Sequence, residues 1–269
     1  MVMNNHSVSL IVSTYNWPEA LNLCLLSIIA QTILPGEVII ADDGSGTETQ
    51  RLIKKYQENF PVPLIHVWQK DEGFQLSRIR NKAIARASGS YIIQIDGDLI
   101  LEPHFIADHI GFSKPGTFIS GTRVQMSSSL SEKMIRQQTT AVSLFSKGIT
   151  NFSNGLRFPL LSNFLAGRYK AKQITYVRGC NMAFWKTDLH KVNGYNESIV
   201  GWGREDSEIA VRLVNAGVKK RILKFGAVVF HIYHPELARQ QLIANDTILN
   251  ECIKNGTQTC EFGLSKYLS

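Results

Sequence analysis

Short apolar runs alternate with helical patterns over the first hundred residues, and this alternation constrains the fold more than any other feature of the chain. The predicted strands and helices are, in order, Val8–Ser13, a helix from about Pro18, Glu37–Ala41, Thr47–Glu58, Leu64–Trp68, Leu76–Arg86 and Tyr91–Ile95. Strands rich in valine and isoleucine that alternate with helices are typical of a parallel sheet covered on both faces. The sequence therefore predicts an α/β fold with a mostly parallel central sheet and helices on both faces.

Polar residues follow three of these strands. Ser13-Thr14-Tyr15 come after the first strand, Asp42-Asp43 after the second and Asp96-Gly97-Asp98 after the fourth. Ligands of such sheets bind beyond the carboxyl ends of the strands. We therefore expect these three runs to line one crevice.

The Asp96-Gly97-Asp98 run has two interpretations. Carboxylates two residues apart repel each other unless a cation neutralises them, and hard ions such as Mg²⁺ or Mn²⁺ prefer oxygen ligands of this kind. Alternatively, the run is only a polar turn, since Asp-Gly is a common turn pair. The Asp42-Asp43-Gly44-Ser45 run likewise either recognises the polar edge of a base or ribose, or forms the turn that caps the next helix.

A second group of candidates lies later in the chain. The run Gly201-Trp202-Gly203-Arg204-Glu205-Asp206 joins a glycine-flanked tryptophan to two carboxylates at the start of a predicted helix, Glu205–Ala216. Such a tryptophan is suited to stacking on a sugar, whereas the alternative is acidic capping of the helix beside a core tryptophan. His231 and His234 lie at and after the last predicted strand, Ile222–Phe230, and either complete a metal site or are structural.

The composition narrows the class of protein. The chain has 29 Lys and Arg against 22 Asp and Glu, a formal net charge of +7, which favours anionic partners. Its four cysteines lack C-x-x-C spacing, which argues against a thiolate zinc site. No apolar run approaches 18 residues and the N-terminus has no leader pattern, so we expect a soluble cytoplasmic protein.

Several motifs together resemble the family 2 glycosyltransferases, whose fold is the Rossmann-like GT-A fold. The amino-terminal half carries V-S-L-I-V-S-T-Y-N, E-V-I-I-A-D-D-G-S, I-R-N-K-A-I and Y-I-I-Q-I-D-G-D. The later R-G-C-N-M-A-F, G-Y-N-E and G-W-G-R-E-D-S-E-I-A-V-R-L are similar to the motif shared by β-1,4-galactosyltransferases, chondroitin polymerase modules and polypeptide GalNAc-transferases. The resemblance covers roughly residues 8–235, and the order of the motifs makes it specific.

The resemblance implies roles for the residues of the first half. Thr14 and Tyr15 would hold and stack on the uracil of UDP, and Asp42 would bond its polar edge. Asp98, and less directly Asp96, would bind the Mn²⁺ or Mg²⁺ that bridges the diphosphate. A further expectation is that Arg80, which matches the arginine of the family's A-R-N motif, lies near the nucleotide.

The resemblance also implies roles for the later residues. Trp202, Glu205 and Asn181 would contact acceptor or donor sugar, and Asp206 matches the catalytic base. His231, rather than His234, matches the metal-binding histidine of the chondroitin polymerase modules. Because Arg204 replaces a glycine of the vertebrate galactosyltransferases, the donor preference of those enzymes does not carry over.

The domain organisation follows from the same resemblance. We expect a single GT-A domain in residues 1–235, with a nucleotide-binding half in 1–125 and an acceptor-binding half in 126–235. Poor periodicity near 126–172 is typical of a lid insertion. Residues 236–269 would then form a polar C-terminal tail.

The implied activity is inverting, metal-dependent transfer of a hexose or N-acetylhexosamine from a UDP-sugar to a hydroxyl of a glycan or lipid-linked acceptor, in surface polysaccharide synthesis. Basic residues and the Phe158–Leu165 run in the insertion suggest peripheral contact with the inner membrane. The alternatives are a sugar-nucleotide nucleotidyltransferase, for which no Gly-rich phosphate loop is present near the N-terminus, and a non-catalytic carbohydrate-binding module. Acidic side chains in the crevice would repel a phosphate backbone, so we expect no nucleic-acid partner.

Overall fold

A seven-stranded sheet forms the centre of the protein in the computed structural model, which describes residues 7–235 and 240–268. The strands of the described residues are β1 Val8–Thr14, β2 Glu37–Asp42, β3 Leu64–Trp68, β4 Tyr91–Asp96, β5 Leu99–Leu101, β6 Thr117–Gly121, β7 Val124–Met126, β8 Ile149–Thr150, β9 Asn181–Trp185, β10 Lys219–Leu223 and β11 Val229–His231. The helices in the same residues are α1 Pro18–Ile29, α2 Thr47–Gln57, α3 Leu76–Arg86, α4 Phe105–Phe112, α5 Ser128–Gln137, α6 Pro159–Leu165, α7 Lys186–Lys191, α8 Glu205–Asn215 and α9 Leu242–Asn255.

The order of the central sheet is β10-β6-β9-β4-β1-β2-β3. Neighbouring strands are parallel except at β9, which runs antiparallel to both β4 and β6. The register places Thr14 opposite Asp42 and Ser13 opposite Asp96. The carboxyl ends of β1, β2 and β4 therefore meet at one edge, as the sequence predicted.

Alternate residues of the strands pack into two different apolar layers. In β1, Leu10 and Val12 face the layer that includes Leu21 of α1, whereas Ile11 faces the layer that includes Ile79 of α3 and Ile209 of α8. A strand buried on both faces needs a nearly continuous apolar run, because successive side chains point to opposite sides. The predicted α/β class, with helices on both faces of a mostly parallel sheet, is confirmed.

A second, four-stranded sheet of order β5-β11-β7-β8 lies beside the first. Strand β5 follows Asp98 directly and pairs antiparallel with β11, so that Leu99 lies opposite His231. The backbone N–H of Ile232 donates to the carbonyl oxygen of Asp98 at 2.9 Å. This pairing brings a histidine from the far end of the chain to the acidic turn after β4.

Two predictions about the later chain are corrected. The single strand expected at Ile222–Phe230 is two strands, β10 and β11, in different sheets, and the chain turns between them at Phe225 and Ala227, both of which have positive φ. Both halves are apolar, so the pattern alone did not show the break. Part of the predicted polar tail forms the helix α9, which packs on α8; residues 236–239 of that tail lie outside the described residues.

The predicted insertion near 126–172 contains regular elements, namely α5, the short strand β8 and α6. Among the described residues, every helix is too short or too polar to span a bilayer.

Candidate active site

A cleft of about 1270 Å³ lies beyond the carboxyl ends of β1 and β4. Most of the residues predicted to act together line it, and these are Thr14, Tyr15, Arg80, Asp96, Asp98, Trp202, Glu205, Asp206 and His231. The single crevice expected from the sequence therefore exists, and the later motifs face it as well.

The guanidinium of Arg80 is the centre of the acidic side of the cleft. Its Nη1 donates to Asp206 Oδ1 at 2.9 Å and lies 3.6 Å from Glu205 Oε1, while its Nη2 donates to Asp96 Oδ1 at 3.1 Å. The side chain is almost fully buried and lies over the ring of Tyr195. A planar fork with several donors suits this arrangement, because one guanidinium contacts three carboxyl groups held by different elements.

The electrostatics of this cluster follow from burial and mutual charge. Burial opposes the charged form of Arg80, but the surrounding carboxylates, led by Asp206, hold its pKa above the ordinary value. Burial, with the charge of Asp206 beside it, raises the pKa of Glu205 to about 8. Burial also raises the pKa of Asp96 to about 6, against the opposing charge of Arg80. Burial and the neighbouring carboxylate thus favour the protonated form of Glu205.

Asp206 lies in the first turn of α8, where the helix dipole stabilises a carboxylate. Its position requires a glycine opposite: a Cβ built on Gly179 would lie 1.5 Å from Asp206 Oδ2. Arg80 holds one carboxylate oxygen of Asp206 and the backbone at Gly179 lies against the other. Glycine is therefore needed here for close approach.

The loop before α8 is held by the C-terminal helix. Arg204 has a φ of +81°, a conformation that favours glycine, and its Nε donates to Asp246 Oδ1 at 2.5 Å. The amide of Asn245 donates to the carbonyl oxygens of Val200 and Gly203 at 3.0 and 2.9 Å. The first turns of α9 thus brace the loop that carries Trp202. We call this set of contacts the α9 brace.

Asp98, His231 and His234 form a second cluster in the cleft. Asp98 Oδ2 lies 3.5 Å from His231 Nε2 and 3.3 Å from His234 Nε2, and one ligand atom from each residue lies within 4.8 Å of the other two. Asp98 Oδ1 and His231 Nδ1 are buried without a hydrogen-bond partner. A carboxylate and two imidazoles with an unsatisfied carboxylate oxygen fit a divalent transition ion such as Mn²⁺. Both histidines are within reach, so the preference for His231 stays a prediction.

Tyr15 lies at the cleft edge, half-exposed, and its hydroxyl donates to Asp71 Oδ2 at 2.9 Å. The expectation for Asp42 is corrected. Asp42 is fully buried, with Oδ1 accepting from the backbone N–H of Ser45 at 2.7 Å and Oδ2 lying 2.9 Å from His66 Nε2. The next residue, Asp43, lines the cleft instead, and burial raises its pKa to about 6. Adjacent residues at a strand end point in opposite directions, which places only one of the pair at the cleft.

Asn181 also differs from expectation. It is fully buried in β9, its amide nitrogen donates to the carbonyl oxygens of Thr122 and Ala227, and its amide oxygen lies 2.9 Å from His109 Nε2. Its side chain therefore ties strand ends together rather than contacting a substrate.

Several residues that were not predicted as site residues also line the cleft, and these are Trp17, Arg123, Gln125, Arg178 and Tyr233. Arg123 follows β6 and Arg178 precedes β9, both at the edge of the sheet that the cleft occupies. Arg123 lies two residues after the end of β6. Because β6 was not predicted from the sequence, that position did not identify Arg123 as a cleft residue.

Two family models match the chain. The model "Glycosyl transferase family 2" matches residues 9–192, and "N-terminal domain of galactosyltransferase" matches residues 162–235. The chain is similar to a chondroitin synthase from Escherichia coli, at 26% identity over 238 residues, which is 83% of this chain and 34% of that protein. The chain therefore spans about a third of that relative.

Solved structures share the fold. A mannosyltransferase from Pyrobaculum calidifontis in complex with GDP-Man and Mn²⁺ superposes with a TM-score of 0.61 at 19% identity, over 90% of this chain and 61% of that one. TarS from S. aureus, residues 1–349 in complex with UDP-GlcNAc, gives a TM-score of 0.62 at 15% identity, over 97% of this chain and 69% of that one. The first family model covers well over half of the sequence and the fold agrees with these structures. The chain belongs to glycosyl transferase family 2 and has the GT-A fold.

Proposed function

We propose that the protein is an inverting, metal-dependent glycosyltransferase that moves a hexose or N-acetylhexosamine from a UDP-sugar to a hydroxyl of a glycan or lipid-linked acceptor, in the synthesis of a surface polysaccharide. One observation carries the proposal: a carboxylate suited to act as a base, Asp206, and a candidate metal site, Asp98 with His231 and His234, line the same cleft. Both similar structures described above hold a sugar nucleotide, one with Mn²⁺.

In the proposed reaction Asp206 accepts the proton of the acceptor hydroxyl. The hydroxyl oxygen forms a bond to the anomeric carbon while the bond from that carbon to the diphosphate oxygen breaks, and UDP leaves with the electron pair. Attack from the side opposite UDP inverts the anomeric configuration. A positioned general base of this kind contributes about 10²–10⁴-fold to the rate.

Arg80 positions this base. Its Nη1 donates to one oxygen of Asp206, which fixes the orientation of the carboxylate. Because the pKa of Glu205 is raised, the form favoured beside the base is the carboxylic acid, a hydrogen-bond donor rather than a second negative charge. Together with Trp202, which lines the cleft on the same side, it is placed to bind a sugar hydroxyl.

The donor side of the cleft would hold the nucleotide. Tyr15 offers an exposed ring for stacking on the base, Thr14 lies beside it, and Asp43 replaces Asp42 as the carboxyl that faces the base. Asp98, His231 and His234 would hold Mn²⁺ or Mg²⁺. When bound, the ion neutralises the charge that develops on the departing diphosphate.

The assay is release of UDP from a panel of UDP-sugars, with Mn²⁺ or with EDTA, in the presence and absence of glycan acceptors. We expect one donor to be turned over with Mn²⁺ and not with EDTA. Asp206→Asn is expected to lower transfer by about 10²–10⁴-fold while UDP–Mn²⁺ affinity stays within about twofold. Asp188→Asn, which replaces a carboxylate on α7 outside the cleft, is the matched control and should leave both unchanged.

Two results would contradict the proposal. Near-normal turnover by Asp206→Asn would show that another group is the base. Release of pyrophosphate instead of UDP would identify a nucleotidyltransferase.

The metal cluster is tested separately. Asp98→Ala should abolish the dependence of UDP affinity on Mn²⁺ in a titration, because it removes the carboxylate of the cluster. Unchanged affinity in that variant would remove the metal assignment.

A further inference from the structure

Helix α6 presents its apolar residues to solvent and its small residues to the protein. Phe158, which precedes the helix, is 52% exposed, and Leu160 and Phe164 are 88% and 61% exposed. Ser162 and Ala166 are buried. Leu160 and Phe164 are four residues apart and therefore lie on the same side of the helix, so their side chains form one apolar patch. We call Phe158, Leu160, Leu161 and Phe164 the α6 patch.

The α6 patch belongs to an anchored element. The backbone N–H of Phe158 donates to the carbonyl oxygen of Phe225 at 2.9 Å, and that of Ile222 donates to the carbonyl oxygen of Ala166 at 2.9 Å. Just before the helix, Arg157 Nη2 donates to the buried carboxylate of Asp108 at 2.7 Å. Because both ends of α6 are bonded to the body of the protein, the exposed side chains are held outward by the fold. Contiguous exposed apolar surface of this kind marks an interaction site.

The segment that carries the patch is basic, and two cations lie on aromatic rings at or beside the patch. The chain has no acidic residue between Lys133 and Thr187, and the basic residues in that interval are Lys133, Arg136, Lys147, Arg157, Arg168, Lys170, Lys172, Arg178 and Lys186. The guanidinium of Arg168 lies 4.5 Å from the centre of the Phe164 ring, and Lys224 lies 5.2 Å from that of Phe225. Exposed apolar side chains with cations directly beside them complement a surface that is apolar beneath a layer of negative charge.

We propose that the α6 patch, with Arg168 and Lys224 beside it, docks the protein on an anionic lipid bilayer. Apolar side chains of this size insert at the boundary between headgroups and acyl chains, and each nearby Lys or Arg adds attraction to anionic lipid. The seven residues of α6 extend about 10 Å, a third of the hydrocarbon thickness, so the contact is peripheral.

The location of the patch relates it to the cleft. Phe225, which bonds Phe158, comes two residues after the end of β10, and β10 runs parallel to β6. The helix therefore starts at the same edge of the sheet that the cleft occupies. If the proposed transferase activity holds, docking at this edge brings the cleft towards an acceptor anchored in the lipid; the docking itself does not depend on that activity.

The test is co-sedimentation of the full chain with vesicles of phosphatidylcholine containing phosphatidylglycerol, at low and high salt. We expect binding at low salt that weakens with salt and is absent with phosphatidylcholine alone. Leu160→Asp with Phe164→Asp should weaken binding by at least about tenfold. Ile243→Asp, which changes a side chain that is 83% exposed on α9, is the matched control and should bind as the wild type does.

Three results would overturn the docking proposal. The first is no binding at low salt, and the second is equal binding by the double variant. The third is a change from dimer to monomer in the double variant by size-exclusion chromatography, which would make the patch a contact between copies of the chain. Transfer to a water-soluble acceptor is measured in parallel. If the wild type shows no transfer, the proposed function is contradicted, but the result of the vesicle-binding assay is unaffected.

Discussion

Replacing Arg80 by Met removes the single cation that Asp96, Glu205 and Asp206 share. Arg80 is 1% exposed, and its nitrogens lie 3.1, 3.6 and 2.9 Å from these three carboxylates. Met has a similar length and fills the apolar part of the space, so the change tests charge rather than volume. The variant leaves three partly buried carboxyl groups without a counter-charge.

The size of the effect depends on pH. Removing one partner of a buried ion pair costs about 3–5 kcal/mol. We expect the lower end, about 3 kcal/mol at pH 8, because the Asp96 side chain is 32% exposed and water screens part of its charge. At pH 5, Asp96, with a pKa of about 6, and Glu205, with a pKa of about 8, carry protons, and the loss should shrink to about 1 kcal/mol.

The sign follows from linkage. A carboxyl whose pKa is raised in the folded state holds more protons than in the unfolded state, so its contribution to stability falls as pH rises through the folded pKa. Without Arg80 these pKa values rise further, and the free energy of unfolding of the variant falls more steeply with pH than that of the wild type.

The assay is urea unfolding of both proteins at pH 5 and pH 8, with the difference in free energy taken at each pH. Arg78→Met is the matched control on the same helix: its partner Glu72 and Arg78 itself are both well exposed, so the expected loss is below about 1 kcal/mol at either pH. A loss for Arg80→Met that is equal at both pH values would refute the reasoning, since it would arise from packing alone.

Three further predictions follow from the cleft and its surroundings. Gly179→Ala should lower kcat for transfer by about 100-fold with little change in UDP affinity, because a Cβ there would displace the carboxylate of Asp206; steady-state kinetics with a wild-type kcat would contradict this. Arg204→Gly should raise the melting temperature slightly, since it relieves about 1 kcal/mol of backbone strain, and should raise KM for the acceptor, since it loosens the α9 brace. Asp246→Asn keeps the strained backbone, so it should raise KM without raising the melting temperature. Glu205→Gln should be more stable than the wild type at pH 8 and gain less at pH 5 in urea unfolding, and an equal gain at both pH values would argue against a raised pKa.

The sheet could be predicted because strands buried on both faces are short, mostly apolar runs that stand out in the sequence. The runs Val8–Ser13 and Tyr91–Ile95 are mostly apolar, with Ser9, Ser13 and Gln94 as the polar exceptions, and the structure ends each strand one residue later than expected. The turns after these strands then had to share one edge, which is why Thr14 and Asp98 were placed correctly in one cleft. These inferences depend only on local pattern and on the geometry of parallel strands.

The remaining errors required knowledge of three-dimensional contacts. Asp42 and Asp43 are chemically identical, and only the direction of the backbone at the strand end decides which one faces the cleft. Asn181 stands in a motif beside the cleft, but its amide bonds carbonyl oxygens from two other segments of the chain. The preference for His231 over His234 came from the resemblance to the chondroitin polymerase modules and stays a prediction, since both imidazoles lie near Asp98 in the structure.

The α9 brace has a consequence for where this domain can be divided. The two family models match residues up to 235, and Asn245 and Asp246 lie beyond that boundary. A fragment ending at Pro235 would keep every matched motif and lose the side chains that hold the loop around Trp202. A chimera that receives the Gly201–Asp206 segment from a relative must therefore take the matching C-terminal helix with it, because the two segments form one transferable unit.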